Sequence, residues 1–245
     1  MTASLPLQVQ QVFDRFRTTA YTTVDPRGQP VCWPATPSYS PGAPCIDVRT
    51  APGDRDDAAD VRDNPKVALL FAEAAGCGMD DPPQVLVQGM ADMAHADVVR
   101  VRPERIFVWP GGDATREPQL FDAHMEEVRS GHDEEPAEEH AAVEGGSAAW
   151  DDRIDELAGD VDAVLSLVAP DGFPFSVRVP MSVDGSTRRL RIAAGVLGVP
   201  VQAGLACVTA HDRVQVRGDL MEEEGGWVVV PHRTVDPPEI SRDAD

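Results

Sequence analysis

The sequence predicts a mainly β protein made of two tandem small β-barrels with a few short helices. Three observations predict it. Short apolar or alternating runs bounded by Gly, Pro and Asp recur along the chain, and few stretches carry helical periodicity. Three motifs occur twice in the same order: Pro26-Arg27-Gly28-Gln29-Pro30 and Pro170-Asp171-Gly172-Phe173-Pro174, then Val87-Gln88-Gly89 and Val216-Arg217-Gly218, then Pro103-Glu104-Arg105 and Pro231-His232-Arg233. Their offsets are 144, 129 and 128 residues, as a tandem duplication with a length change in the middle would give. Between the copies, residues 113–144 hold eleven Asp and Glu against Arg116 and Arg129, followed by Gly145-Gly146, which is linker composition. The expected units are therefore residues 1–112, an acidic linker 113–146, and 147–245.

The elements follow in order. Leu5 to Phe16 places Leu5, Val9, Val12, Phe13 and Phe16 on one face, an amphipathic helix ahead of the first strand. The runs Ala20–Val24 and Ala163–Val168 each lead into a Pro-x-Gly turn, in which Pro presets φ and Gly accepts a positive φ. Asp54 to Arg62 reads as a short helix stopped by Asn64-Pro65. Val85-Leu86-Val87 and Ile106-Phe107-Val108 are short buried strands, while Leu190-Arg191-Ile192 and Val214-Gln215-Val216-Arg217 alternate as half-buried strands do. Trp150 to Leu157 opens the second copy as a helix with Ile154 and Leu157 inward. Several short strands with turn signals, and few helices, mean a small barrel in each half.

Composition removes several classes of function. The chain has 245 residues, with 21 basic against 42 acidic residues and a formal charge of -21. A nucleic-acid binder needs a basic stripe to release counterions, and an anionic membrane surface repels such a chain, so neither is an expected partner. Aromatics at 5% argue against a base-stacking platform. Cys32, Cys45, Cys77 and Cys207 show no paired spacing and read as reduced thiols. No signal-peptide pattern and no apolar stretch of spanning length is present, so a cytoplasmic location is expected. Neither a Ser nucleophile elbow nor a Gly-rich phosphate loop occurs. His124, His132 and His140 recur every eight residues among carboxylates, a wider spacing than structural metal sites use, so no metal is expected.

The first copy runs Tyr21-Thr22-Thr23-Val24-Asp25-Pro26-Arg27-Gly28-Gln29-Pro30, Trp33-Pro34-Ala35-Thr36-Pro37, Val48-Arg49-Thr50, Asn64-Pro65-Lys66-Val67-Ala68-Leu69-Leu70-Phe71 and Val85-Leu86-Val87-Gln88-Gly89. In this order it resembles the pyridoxamine 5'-phosphate oxidase-like proteins, a split β-barrel family that binds FMN. The resemblance covers residues 10–110 well, and 160–235 as a weaker, degenerate copy. It implies a flavin cofactor, FMN or its deazaflavin variant, lying in the cleft between two paired barrels. It also implies an oxidoreductase whose small-molecule substrate stacks on the flavin. The two copies are expected to pair within one chain as an internal pseudo-dimer, with a homodimer of the whole chain also allowed.

The candidate ligands follow from that placement. Trp33, Pro34, Ala35 and Thr36 offer backbone groups to the ring edge, and Trp33 could cover its face. Gln88 could reach a ring carbonyl. Arg49, Thr50 and Arg55 bracket the start of the helix Asp54 to Arg62, where free N–H groups and guanidinium donors suit a phosphate. Asp56 and Asp57 stand where relatives carry basic residues, and they favour a second reading, a non-catalytic split-barrel scaffold that has lost flavin. A third reading, a haem-binding split barrel, needs an axial histidine, for which His95 and His211 are the candidates. No catalytic side chain can be assigned, because flavin would supply the reactive group.

Overall fold

The computed structural model describes residues 5–40, 42–50, 61–95, 97–123, 150–155, 160–192, 201–210, 214–224 and 226–236. Arg55, Asp56 and Asp57, the three linker histidines, His211 and most of the helix expected over 54–62 lie outside these residues. The chain opens with helix α1 (Leu7–Arg15), whose first N–H groups are met by the Pro6 carbonyl. Val9, Val12 and Phe13 form its buried face, with Phe16 just beyond, as the 3.6-residue periodicity predicts.

The first sheet comprises β1 (Thr19–Val24), β2 (Pro30–Tyr39), β3 (Ile46–Arg49), β4 (Lys66–Phe71), β5 (Gln84–His95), β6 (Val98–Trp109) and β7 (Gln119–Asp122). Its order is β3-β2-β1-β4-β5-β6-β7, and β3 also pairs with β6, which closes the first six strands into a barrel. The second sheet comprises β8 (Asp160–Val168), β9 (Pro174–Asp184), β10 (Arg189–Ile192), β11 (Gly204–Ala210), β12 (Val214–Glu223) and β13 (Gly226–Val235), and closes as β10-β13-β12-β11-β8-β9. Replacing β1 to β6 by β8 to β13 converts one order into the other. The two barrels are copies of one topology, as the duplicated motifs require.

The repeated motifs explain themselves in the structure. Gly28 and Gly172 take φ of 80° and 79° at the two hairpin turns, each donating its N–H three residues back, to Asp25 and Ala169. Val-x-Gly and Pro-x-Arg, read separately in the sequence, are partners across a β-bulge. Gln88 pairs with Arg105 and Gly89 with Pro103, leaving Glu104 extra; Arg217 pairs with Arg233 and Gly218 with Pro231, leaving His232 extra. A Cβ on Gly89 would overlap the Arg102 carbonyl, and one on Gly218 the Val230 carbonyl, so the bulge admits only glycine at both sites.

The acidic segment expected as a linker from residue 113 begins as part of the first sheet. β7 pairs with Arg105–Val108 of β6, and the Ala123 N–H donates to the bulge carbonyl of Glu104. The reason lies in β6 itself. β3 pairs only with Val98–Val101, so the far half of β6 needs another strand to satisfy its backbone groups. Of the helix expected over 150–157, Asp152–Asp155 is helical among the described residues, with Ile154 fully buried.

The barrels face each other reciprocally. β2 rests on β8 and β11, while β9, its counterpart, rests on β1 and β4. Ala68, Leu70 and Leu86, on the outer face of the first barrel, join the cluster that fills the second. Phe175 packs edge-on against Phe107 and Trp109, at 5.6 and 6.1 Å between ring centres. Among the described residues no helix is long and apolar enough to cross a membrane.

Candidate functional site

A row of paired residues, Cys32, Thr22, Ala68, Gln88 and Arg105, crosses the first sheet in register. Strand alternation turns it outward, onto the second barrel, where its polar members are consumed by cross-barrel bonds. Thr22 Oγ1 meets Ser176 Oγ at 2.8 Å, and Ser176 Oγ in turn meets Ser166 Oγ at 2.8 Å. Gln88 Nε2 donates to the Pro174 carbonyl at 2.8 Å. The Cys32 carbonyl accepts from Gln215 Nε2 at 2.6 Å and from Thr209 Oγ1 at 3.3 Å.

The hairpin ends lock the same face. Gln29 Nε2 donates to the Ala206 carbonyl at 2.9 Å. Reciprocally, the hairpin at Asp171 is held by Lys66, whose Nζ donates to its carbonyl at 2.9 Å, and by Arg105, ion-paired to its carboxylate at 2.6 Å. Lys66 and Arg105 also sit over the Phe173 ring at 5.2 and 4.8 Å.

One inter-barrel cavity, of about 190 Å³, lies between equivalent positions of the two copies. Pro34, Ala20 and Leu70 are register partners on β2, β1 and β4; Arg178, Val164 and Thr209 are the matching partners on β9, β8 and β11. All six line the cavity, which therefore sits on the pseudo-two-fold axis. A second cavity, of about 230 Å³, shares Ala72, Asp162 and Arg178 with the first and extends to Phe16, Gln84, Asp113 and Thr115. Arg178 NH1 donates to the Ala72 carbonyl at 3.1 Å and to Glu73 Oε2 at 3.3 Å, holding the guanidinium where the cavities meet.

The sequence-predicted residues divide into three groups. Pro34 lines the axial cavity. Two residues on, and on the same side of β2, Thr36 is exposed and registered opposite Arg49, with Thr50 next in the chain. The Arg49 side chain is 70% exposed and makes a 3.6 Å ion pair with Asp97, whose carbonyl accepts from the Thr50 N–H. Trp33 and Ala35 alternate with these residues; Trp33 is paired with Tyr21 of the first core, and Ala35 belongs to that core. Gln88 lies three strands away from β2 and is tied to the second barrel through its Nε2, while its buried Oε1 has no hydrogen-bond partner among the described residues. His95 is exposed at the end of β5 and lines neither cavity.

Sequence reasoning missed Arg178, Asp162 and Gln84. The signal was available in the duplication: aligned at an offset of 144, Pro34 matches Arg178 and Thr18 matches Asp162, so the second copy carries charge where the first is neutral. The Cys207 thiol, fully enclosed between the barrels, is pushed up to about 12, chiefly by loss of solvent and further by the neighbouring Cys32. Among the described residues, no cluster of three or more His, Cys, Asp or Glu could hold a metal ion.

No protein-family model matches the sequence, and no curated protein matches it. Solved structures similar to the chain include general stress protein 26 from Bacillus anthracis, 14% identical, covering 47% of this chain and 95% of that one with a TM-score of 0.36. A protein related to general stress protein 26, of the pyridoxinephosphate oxidase family, from Clostridium acetobutylicum is 11% identical, covering 47% and 92% with a TM-score of 0.37. A heme binding protein from Mycobacterium smegmatis is 12% identical, covering 49% and 60% with a TM-score of 0.37. The solved structures similar to this chain thus include one of the pyridoxinephosphate oxidase family and one heme binding protein.

Proposed function

We propose that the chain is an FMN-binding split-barrel oxidoreductase whose flavin ring enters the inter-barrel cleft beside Pro34 and whose phosphate lies at the rim by Thr36, Arg49 and Thr50. One observation carries the reading. β2 runs from the axial cavity at Pro34 to the exposed pair Thr36 and Arg49 within two residues, so one strand edge offers an apolar wall at one end and cationic donors at the other. The donor set suits a phosphate: the Arg49–Asp97 pair is long and exposed, so it holds little energy and leaves the guanidinium available. Bound flavin supplies hydride transfer, and the protein supplies position and charge. Substrate would reach the ring from the cleft.

The test is titration of the purified protein with FMN and with riboflavin, followed by visible absorbance. FMN should bind at least about tenfold tighter than riboflavin, since a charge-assisted hydrogen bond contributes about 1.5–3 kcal/mol. Equal affinities would remove the phosphate site from Arg49. Binding of neither ligand would replace this reading with the non-catalytic scaffold, which the buried cross-barrel bonds would also serve.

A further inference from the structure

We infer that the cavity beside Arg178 is a binding site for a small zwitterion, an apolar α-amino acid, independent of any flavin. Four observations lead there. First, Gln84 lines this cavity at 2% exposure, and its Nε2 has no hydrogen-bond partner among the described residues. Its Oε1 is already fixed, accepting the Arg178 N–H at 2.9 Å, so the amide cannot turn over without losing that bond. A buried donor left unpaired costs free energy that a ligand acceptor would return.

Second, among the described residues the guanidinium of Arg178 is anchored through NH1 alone, to Ala72 and Glu73. Its planar fork keeps further donors for a carboxylate. Third, Asp162 lines the same cavity and supplies the opposite charge on the same barrel. Glu73 and Asp162 together make the surroundings net acidic, so a simple anion is disfavoured, whereas a molecule carrying its own ammonium group matches both signs. Fourth, much of the remaining wall is apolar, including Phe16, Pro82 and Pro180, while the Asp113 carboxylate that also lines it accepts from the Thr115 N–H and hydroxyl. A volume of about 230 Å³ suits a molecule of amino-acid size.

The duplication adds the reason that such a site exists here. In two identical barrels the charges would recur symmetrically about the axis. In this chain Arg178 and Asp162 stand where the first copy has Pro34 and Thr18, so these paired positions are charged on one side of the cleft and neutral on the other. A polar ligand with a defined direction needs that asymmetry.

The experiment is isothermal titration of the full chain, without added flavin, using L-alanine, L-valine, L-leucine and L-methionine. L-Leucine's analogues 4-methylpentanoate, which lacks the ammonium, and 3-methylbutylamine, which lacks the carboxylate, complete the panel. At least one amino acid should bind, and for leucine both analogues should bind at least about tenfold more weakly. Gln84→Glu keeps an acceptor for the Arg178 N–H but removes the free donor, and should weaken the amino acid by about tenfold or more. Asp162→Asn should weaken the amino acid but not 4-methylpentanoate, which loses a like charge. Failure of all four amino acids to bind at about 10 mM, well into the millimolar range, would overturn the inference. So would 4-methylpentanoate binding as tightly as leucine, or a folded Gln84→Glu protein binding like the wild type.

Discussion

Gln88 Nε2 donates to the Pro174 carbonyl across the barrel interface at 2.8 Å, joining residues 86 positions apart in the chain. The side chain expected to read a flavin carbonyl is therefore a tie between the two copies. Its Oε1 has no partner among the described residues, so one end of the amide is left over while the other is spent. Gln88→Leu strands the Pro174 carbonyl and should destabilise the chain by about 1–3 kcal/mol. Urea unfolding measures it. A Gln88→Leu protein of wild-type stability would show that the bond contributes nothing to holding the copies together.

The bulge glycines make a paired prediction. A Cβ at Gly89 or Gly218 meets a backbone carbonyl that cannot swing away as a flexible side chain would. Gly89→Ala and Gly218→Ala should each cost about 3 kcal/mol or more, at the high end for single substitutions. Thermal unfolding of the two variants should show similar losses, because the bulge geometry is the same in both copies.

Stability should fall at alkaline pH because of Cys207. Its thiol ordinarily titrates at 9.0 and is pushed up to about 12 in the folded chain. Below pH 9 the thiol is neutral in both states and contributes no pH dependence. Above it the unfolded chain ionises first, so stability is lost progressively as pH rises from about 9 towards 12. Cys207→Ala should flatten that part of the profile. The same burial predicts that Cys207 reacts with a thiol reagent at pH 8 only after unfolding.

Residues 1–123 expressed alone would expose Ala68, Leu70, Leu86 and Phe107, which pack against the second barrel in the full chain. These apolar side chains would lie open beside Thr22 and Gln88, stripped of their cross-barrel partners, so the fragment should self-associate or precipitate. Size-exclusion chromatography gives the answer, and a soluble monomer would contradict the view that each barrel depends on the other.

Arg49→Ala tests the rim assignment. The variant should lose the preference for FMN over riboflavin, by about tenfold given the exposure of the side chain, while riboflavin affinity stays unchanged. Stability should hardly move, since the Arg49–Asp97 pair lies in solvent.

The sequence by itself determined the β architecture, the duplication and the hairpins. These depend on local physics: Pro and Gly at turns, alternation along strands, and the 3.6-residue stripe that buries Val9, Val12 and Phe13. It did not reveal β7, because four residues in an acidic stretch carry little strand signal. β7 forms because the outer half of β6 would otherwise lack a partner. Nor did it reveal that Val-x-Gly and Pro-x-Arg are the two sides of one bulge, since pairing register is set between strands.

Of the candidate site, the sequence named Pro34 and Thr36 for the ring edge and Arg49 and Thr50 for the phosphate, and grouped Trp33, Ala35 and Gln88 with them. Only the tertiary structure decided that Gln88 faces Pro174, that Trp33 pairs with Tyr21 on the inner side of β2, and that Arg178 stands opposite Pro34. Those outcomes depend on which face of each barrel meets the other. That choice is made by contacts between residues 86 to 183 positions apart, such as Gln88 with Pro174 and Gln215 with Cys32. No periodicity within one strand encodes it, because both faces of these barrel strands are buried.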